Sequence, residues 1–141
     1  MSVDYSKVRG YRNNNPLNIR KGAHWQGLAE KQTDPSFCQF VSRAYGWRAA
    51  LKLLKNYITG AVTGGRRCDT ITAIISRWAP PSENATTKYI DFVSERTHIH
   101  YLEKVDWKER NRVCAICQAM AFVECGIQYD INEIYSAYDL L

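Results

Sequence analysis

A carboxylate stands near the end of this chain in a place that calls for a reason. The segment "VCAICQAMAFVECGIQYD", residues 113 to 130, holds a single conventionally polar side chain, Gln118, between Val113 and Val123, and then presents Glu124. Val113, Cys117, Met120 and Glu124 are spaced by four, three and four residues, which places them on one face of a helix. Gly126, just beyond, suits the end of that helix. Partial desolvation and the negative end of the helix dipole both favour the protonated carboxyl at such a position. A glutamic acid held protonated near neutral pH is what general acid catalysis requires. The competing reading is that Glu124 turns outward at the helix end, or pairs with an arginine from the basic N-terminal half.

The other residues with chemical potential point elsewhere. Cys38, Cys68, Cys114, Cys117 and Cys125 are odd in number and irregular in spacing, which argues against a disulfide framework. Cys114 and Cys117 form a C-x-x-C, but inside an apolar helix with no second pair and no adjacent histidines, so core packing is the expected role. His24, His98 and His100 are scattered. Neither a metal nor a cofactor is expected.

The elements that would position Glu124 follow from the periodicities. The 141 residues suffice for one domain with a core of its own, and the 45% apolar and 23% charged shares are those of an ordinary soluble protein. No apolar run approaches the roughly 18 residues of a membrane span. The polar start "MSVDYSKVRGYRNNN" lacks an export signal, so synthesis in the cytoplasm as a soluble species, and a monomer, is expected. Residues 1 to 60 carry ten Lys and Arg against three Asp and Glu, a balance of +7, whereas residues 61 to 141 balance at −2. The basic half would face an anionic partner such as nucleic acid or a wall polymer, or simply water.

After a basic, polar start, the alternation in "LNIR" and the runs Trp25 to Glu30 and Phe37 to Val41 read as short strands of a small antiparallel sheet, with a turn at "TDPS". From Ser42 the pattern turns helical. One amphipathic helix ends before Gly60, a second starts at a cap on Asp69 and reaches about Trp78, and a third covers about Asn84 to Thr97. D-x-x-E patterns at Asp106 and Asp130 mark the starts of the Glu124 helix and of a short last helix. The expectation is therefore an α+β domain, mainly helical, with a small sheet near the N-terminus and about five helices. The Glu124 helix should be central and surrounded.

"AMAFVECGIQ" resembles the catalytic helix of lysozyme-like peptidoglycan hydrolases, and "NPLNIRKGAHWQGLAEKQTDPSFCQFVSRAYGWRAALKLL" resembles the segment that follows that helix in flagellar-type glucosaminidases and lytic transglycosylases. Leu17 and Arg20 stand at the Phe and Lys positions of that segment, and Cys125 stands where Ser or Asn is commoner. "RWAPPSENATTKYIDFV" looks like the segment bordering the sugar groove. The pieces occur in rotated order, as in a circular permutation, which domains tolerate because their termini lie close together. "R-x-x-R-N-N-N-P-x-N-I-R", "W-A-P-P-S-E-N" and the final "E-x-G" together resemble a phage and prophage family of virion-associated, lysozyme-like proteins across essentially the whole chain.

What this resemblance implies is a single lysozyme-like domain spanning residues 1–141 that hydrolyses peptidoglycan glycan strands as a muramidase, glucosaminidase or lytic transglycosylase. It would act at the bacterial cell wall once delivered by a phage-type or secretion apparatus. Glu124 would be the general acid, with Asp34 and then Glu30 as candidates for a helping carboxylate. Asn14, Asn18, Arg20, Trp78, Glu83, Asn84 and Tyr89 would contact substrate. Against these roles stand plainer ones: Asn14 and Asn18 shaping a turn, Glu83 and Asn84 capping a helix, Trp78 and Tyr89 packing in the core. Arg9, Arg12 and Arg20 would meet the lactyl or peptide carboxylates of the wall polymer, or pair with Asp106 and Glu109. The rival functions are a catalytically inactive glycan-binding or virion structural protein and, without any recognisable motif for it, a nucleic-acid binder. An active protein requires the Glu124 carboxyl to face a groove walled by Asn18 and the Trp78–Asn84 loop.

Overall fold

The structure, a computed structural model, describes residues 3–81 and 85–141. Six helices follow one another among these residues: α1 (Arg9–Arg12), α2 (Arg43–Thr59), α3 (Ile71–Trp78), α4 (Thr86–Thr97), α5 (Arg110–Cys125) and α6 (Ile131–Asp139). The long helices are where the 3.6-residue periodicity puts them. α2 buries Trp47, Ala50, Leu51, Leu54 and Ile58 and stops at Gly60, whose φ of 78° is the left-handed conformation a glycine tolerates. Each large side chain so buried contributes roughly 1.5–3 kcal/mol of transfer free energy.

The expected antiparallel sheet is absent among the described residues, and the domain is helical with irregular N-terminal loops. Only two isolated antiparallel bridges form, Arg20 with Phe37 and Leu28 with Phe40. The alternation in "LNIR" does put Leu17 and Ile19 inside, but side-chain amides take the place of neighbouring strands. Asn15 Nδ2 donates to the carbonyls of Ile19 and Cys38, and its Oδ1 accepts the Ile19 amide. Gln32 Nε2 donates to the carbonyls of Ala29 and Gln39, while Gln32 Oε1 accepts the Gln39 amide. Asn14 and Asn18, with φ of 53° and 51°, interrupt any extended run. Buried backbone groups must be paired, but nothing requires the partner to be another strand.

Helix starts differ in detail from the capping patterns. Thr70, not Asp69, caps α3, its hydroxyl accepting the Ala73 amide at 3.0 Å. Asp106 and Glu109 do interact, the Asp106 amide donating to Glu109 Oε1, but they close a turn ahead of α5, which begins at Arg110. Asp130 caps α6 as expected through the Asn132 amide. Glu133 turns away from that cap to pair with Arg43 Nε at 2.7 Å and to accept Trp47 Nε1, tying α6 to α2.

α5 is the axis of the core. It packs against α1, α2, α4 and α6, and its Val113, Cys114, Ile116, Cys117, Ala119, Met120 and Ala121 are all buried. Burial raises the Cys114 thiol to about 11 and pushes the Cys117 thiol higher still, so both remain neutral core residues. No helix among the described residues is long and apolar enough to cross a membrane.

Candidate active site

Glu124 occupies the last turn of α5, and Gly126 ends the helix in the left-handed conformation with φ 70°. The N-terminal segment holds this helix end. Asn18 Nδ2 donates to the Glu124 backbone carbonyl at 3.2 Å, and the Cys125 thiol donates to the Pro16 carbonyl at 3.3 Å. Gly10 of α1 sits so close that a Cβ there would lie 2.3 Å from Cys125 Sγ and 2.9 Å from Asn18 Oδ1. α1 therefore contributes backbone, without a side chain, at the point where the first and last parts of the chain meet. Among the described residues, Asn18 Oδ1 and the Tyr129 hydroxyl are buried without a hydrogen-bond partner.

The carboxyl itself meets α3 and α4. Trp78 Nε1 donates to Glu124 Oε2 at 3.2 Å and the Tyr89 hydroxyl donates to the same oxygen at 3.0 Å, while Oε1 takes no hydrogen bond from a described residue. Glu124 lines a cleft of about 420 Å³ with Ala85, Lys88, Tyr89, Phe92 and Val123. Burial raises its pKa. The Trp78 and Tyr89 hydrogen bonds, the nearby Asn18 side-chain amide and the charge of Arg20 oppose that shift, and the desolvation prevails. Tyr89, pushed well above its usual range by burial and then by the Glu124 charge, stays a hydrogen-bond donor. Burial likewise raises Cys125 to about 11, which leaves a neutral thiol beside the acid.

Asp34 is in a different setting. Arg9 Nε and Nη2 reach its two oxygens at 2.7 and 2.6 Å, Asn13 Nδ2 adds a third bond at 2.9 Å, and the amides of Ser36 and Phe37 donate to Oδ1. Arg9, with help from these donors, holds the carboxyl far below the usual range. Asp34 lines a separate cleft with Arg9, Arg12, Asn13, Thr33, Pro35 and Gln39, and it shares no hydrogen-bond partner with Glu124.

Of the residues singled out in the sequence, the structure gathers Glu124, Asn18, Trp78 and Tyr89, with the charge of Arg20 acting on the carboxyl. Asp34 is engaged elsewhere, and Glu30 is exposed and outside the lining of the Glu124 cleft. Asn14 spends its side chain on the Phe40 carbonyl at 3.0 Å. Glu83 and Asn84 lie outside the described residues. Lys88, Phe92 and Val123 line the cleft and were not singled out. The available signal was the four-residue step from Lys88 to Phe92, which puts both on the wall that also carries Tyr89.

Fold and site together define a helical protein with a desolvated carboxyl, its pKa raised by burial, at the end of its central helix and facing a cleft. The chain is 38% identical over 137 residues to "Protein P5" of Pseudoalteromonas phage PM2, covering 94% of this chain and 81% of that protein, and it belongs to the same family. No protein-family model matches it.

Proposed function

We propose that the protein hydrolyses or transglycosylates the glycan strands of peptidoglycan, with Glu124 as general acid. The observation that carries this reading is the carboxyl at the end of α5, desolvated, with Trp78 and Tyr89 on Oε2 and its other oxygen free of donors from the described residues beside the cleft. The two donors fix the side chain, and a proton on Oε1 is then available to a bound glycosidic oxygen. The resemblance of "AFVECG", "NNNPLNIR" and "RWAPPSEN" to lysozyme-like wall hydrolases supports the same assignment, as does a relative encoded by a bacteriophage.

In this mechanism Glu124 transfers its proton to the glycosidic oxygen as the C1–O bond breaks, and positive charge develops on the sugar ring. Among the described residues no second carboxylate shares the cleft, since Asp34 is saturated by Arg9, Asn13 and two amides. That favours attack on C1 by the substrate itself, through its N-acetyl carbonyl oxygen or its 6-hydroxyl. In the second case the hydroxyl proton passes to the Glu124 carboxylate and an anhydro sugar leaves. Incubation of purified sacculi with the wild type and with Glu124→Gln, followed by mass analysis of released fragments, tests the reading. Release by the wild type alone is expected. No release by the wild type at any pH near neutral overturns it in favour of a glycan-binding or virion structural protein.

A further inference from the structure

Lys88, Phe92 and Arg96 follow one another at four-residue steps on α4 and so form a single stripe along that helix. Lys88 and Phe92 line the Glu124 cleft, opposite Val123 of α5. Phe92 stacks on Phe122 of α5 with ring centroids 5.5 Å apart and planes inclined by only 13°. The Arg96 guanidinium lies over both rings, 5.7 Å from the Phe92 centroid and 4.9 Å from that of Phe122, and its Nη2 is anchored to Gln128 Oε1 at 2.6 Å. Arg96 is thus held in place by two rings and one amide, yet among the described residues it forms no ion pair, and neither does Lys88. Asp91 and Glu95 are exposed on the same helix and pair with neither cation. Lys88 on the cleft wall and Arg96 just beyond it, ordered over the Phe92 ring that also lines the cleft, suit an anion with a planar, two-oxygen head.

We propose that this edge of the cleft is a subsite for a carboxylate-bearing N-acetylated sugar, with the lactyl or peptide carboxylate placed against Lys88 and Arg96 and the sugar ring in the cleft beside Glu124. The proposal rests on reading the cleft as a glycan site and adds to it the class of sugar that the site selects. The cleft volume of about 420 Å³ falls in the range of about 300–1,000 Å³ typical of small-molecule sites. Neutral N-acetylglucosamine residues would occupy the same space without the charge contact.

The test uses the full chain carrying Glu124→Gln, so that ligands are not turned over. It is titrated with N-acetylglucosaminyl-N-acetylmuramic acid and with its methyl ester, and followed by backbone amide shifts. The acid is expected to bind more tightly than the ester, by an amount that falls as salt rises. Adding Lys88→Gln or Arg96→Gln should each weaken binding of the acid roughly fivefold and leave the ester unchanged, as expected for exposed charge-assisted contacts. Lys104→Gln, a cation outside this cleft, should change neither. Equal affinity for acid and ester, insensitivity to both substitutions, or no binding of the acid overturns the subsite. Failure of the wild type to cleave sacculi, with acid-selective binding intact, overturns the catalytic reading alone.

Discussion

Two carboxylates of this protein, Asp34 and Glu124, are both largely withdrawn from water and both touched by the first twenty residues, yet their surroundings prepare them for opposite tasks. Asp34 receives five donors, two of them from a guanidinium, and is held firmly ionised. Glu124 receives two neutral donors on one oxygen and sits beside apolar Val123 and Phe92, so burial raises its pKa. Withdrawal from water is common to both. What separates them is how many donors compensate it, and whether one of those donors is charged. The first arrangement fastens a loop to α1, and the second favours the protonated form of a carboxyl at the edge of a cleft.

The contrast can be broken most sharply through activity. Glu124→Gln should lower turnover of sacculi by about 10²–10⁴-fold, the usual contribution of a general acid, whereas Asp34→Asn should leave the turnover of folded protein within a few-fold of wild type. Equal losses in the two variants would place Asp34 in the machinery after all. Next in size is Gly10→Ala, whose new methyl meets Cys125 Sγ and, at 2.9 Å, the Asn15 carbonyl. It should cost about 1–3 kcal/mol by chemical denaturation, as overpacking does.

Asp34→Asn should then show itself as a change in acid stability. A carboxyl whose folded pKa is depressed contributes stability above its ordinary value of 3.8, and that stability is lost as the pH falls through the folded value. Melting temperatures measured from pH 7 downwards should therefore fall more steeply below pH 4 for the wild type than for the variant. Tyr89→Phe removes one of the bonds that lower the Glu124 pKa, so the alkaline limb of the pH–activity profile should move to higher pH. Its rate at the optimum should change by less than about tenfold.

The smallest effect has the opposite sign. Glu124 has a raised folded pKa, so the wild type loses stability as the pH rises from 4.5 through that value. Glu124→Gln carries no charge to desolvate and should melt at a higher temperature than the wild type at pH 8, with the two converging below pH 4.5. Each kcal/mol corresponds to roughly 4 °C at this chain length.

The long helices were legible because their burial repeats every three or four residues within one segment. α2, α4, α5 and α6 follow from that local signal, as do the glycine ends of α2 and α5 and the aspartate cap of α6. The sheet was misread because "LNIR" and "FCQFV" carry the burial pattern of strands, while the side-chain amides of Asn15, Gln32 and Gln39 complete their hydrogen bonding. Alternation reports which side chains are inside and says nothing about which groups pair with the backbone. In the site, the resemblance led to the expectation of Asn18 and the Trp78–Asn84 loop as walls of the Glu124 groove. Asn18 and Trp78 do reach Glu124, but among the described residues the cleft is lined by α4 and Val123 instead. The separate engagement of Asp34 was not anticipated, because an acid in a turn looks the same in sequence whether or not an arginine 25 residues away closes on it.

By itself, then, the sequence determined that an acid ends an apolar helix, that this helix lies at the centre of the core, and that the chain is mainly helical. These properties depend on periodicity within single segments, where the spacing of residues fixes which face they share. The tertiary structure alone decided in which direction each of two shielded carboxyl pKa values moves. That outcome depends on neutral donors brought in from α3, α4 and the N-terminal loop, 46, 35 and 106 residues away from Glu124 in the chain, with no cation paired to the carboxyl among the described residues. A pKa is set by the local dielectric and by neighbouring charges in space, and neither is written in the order of residues along the backbone.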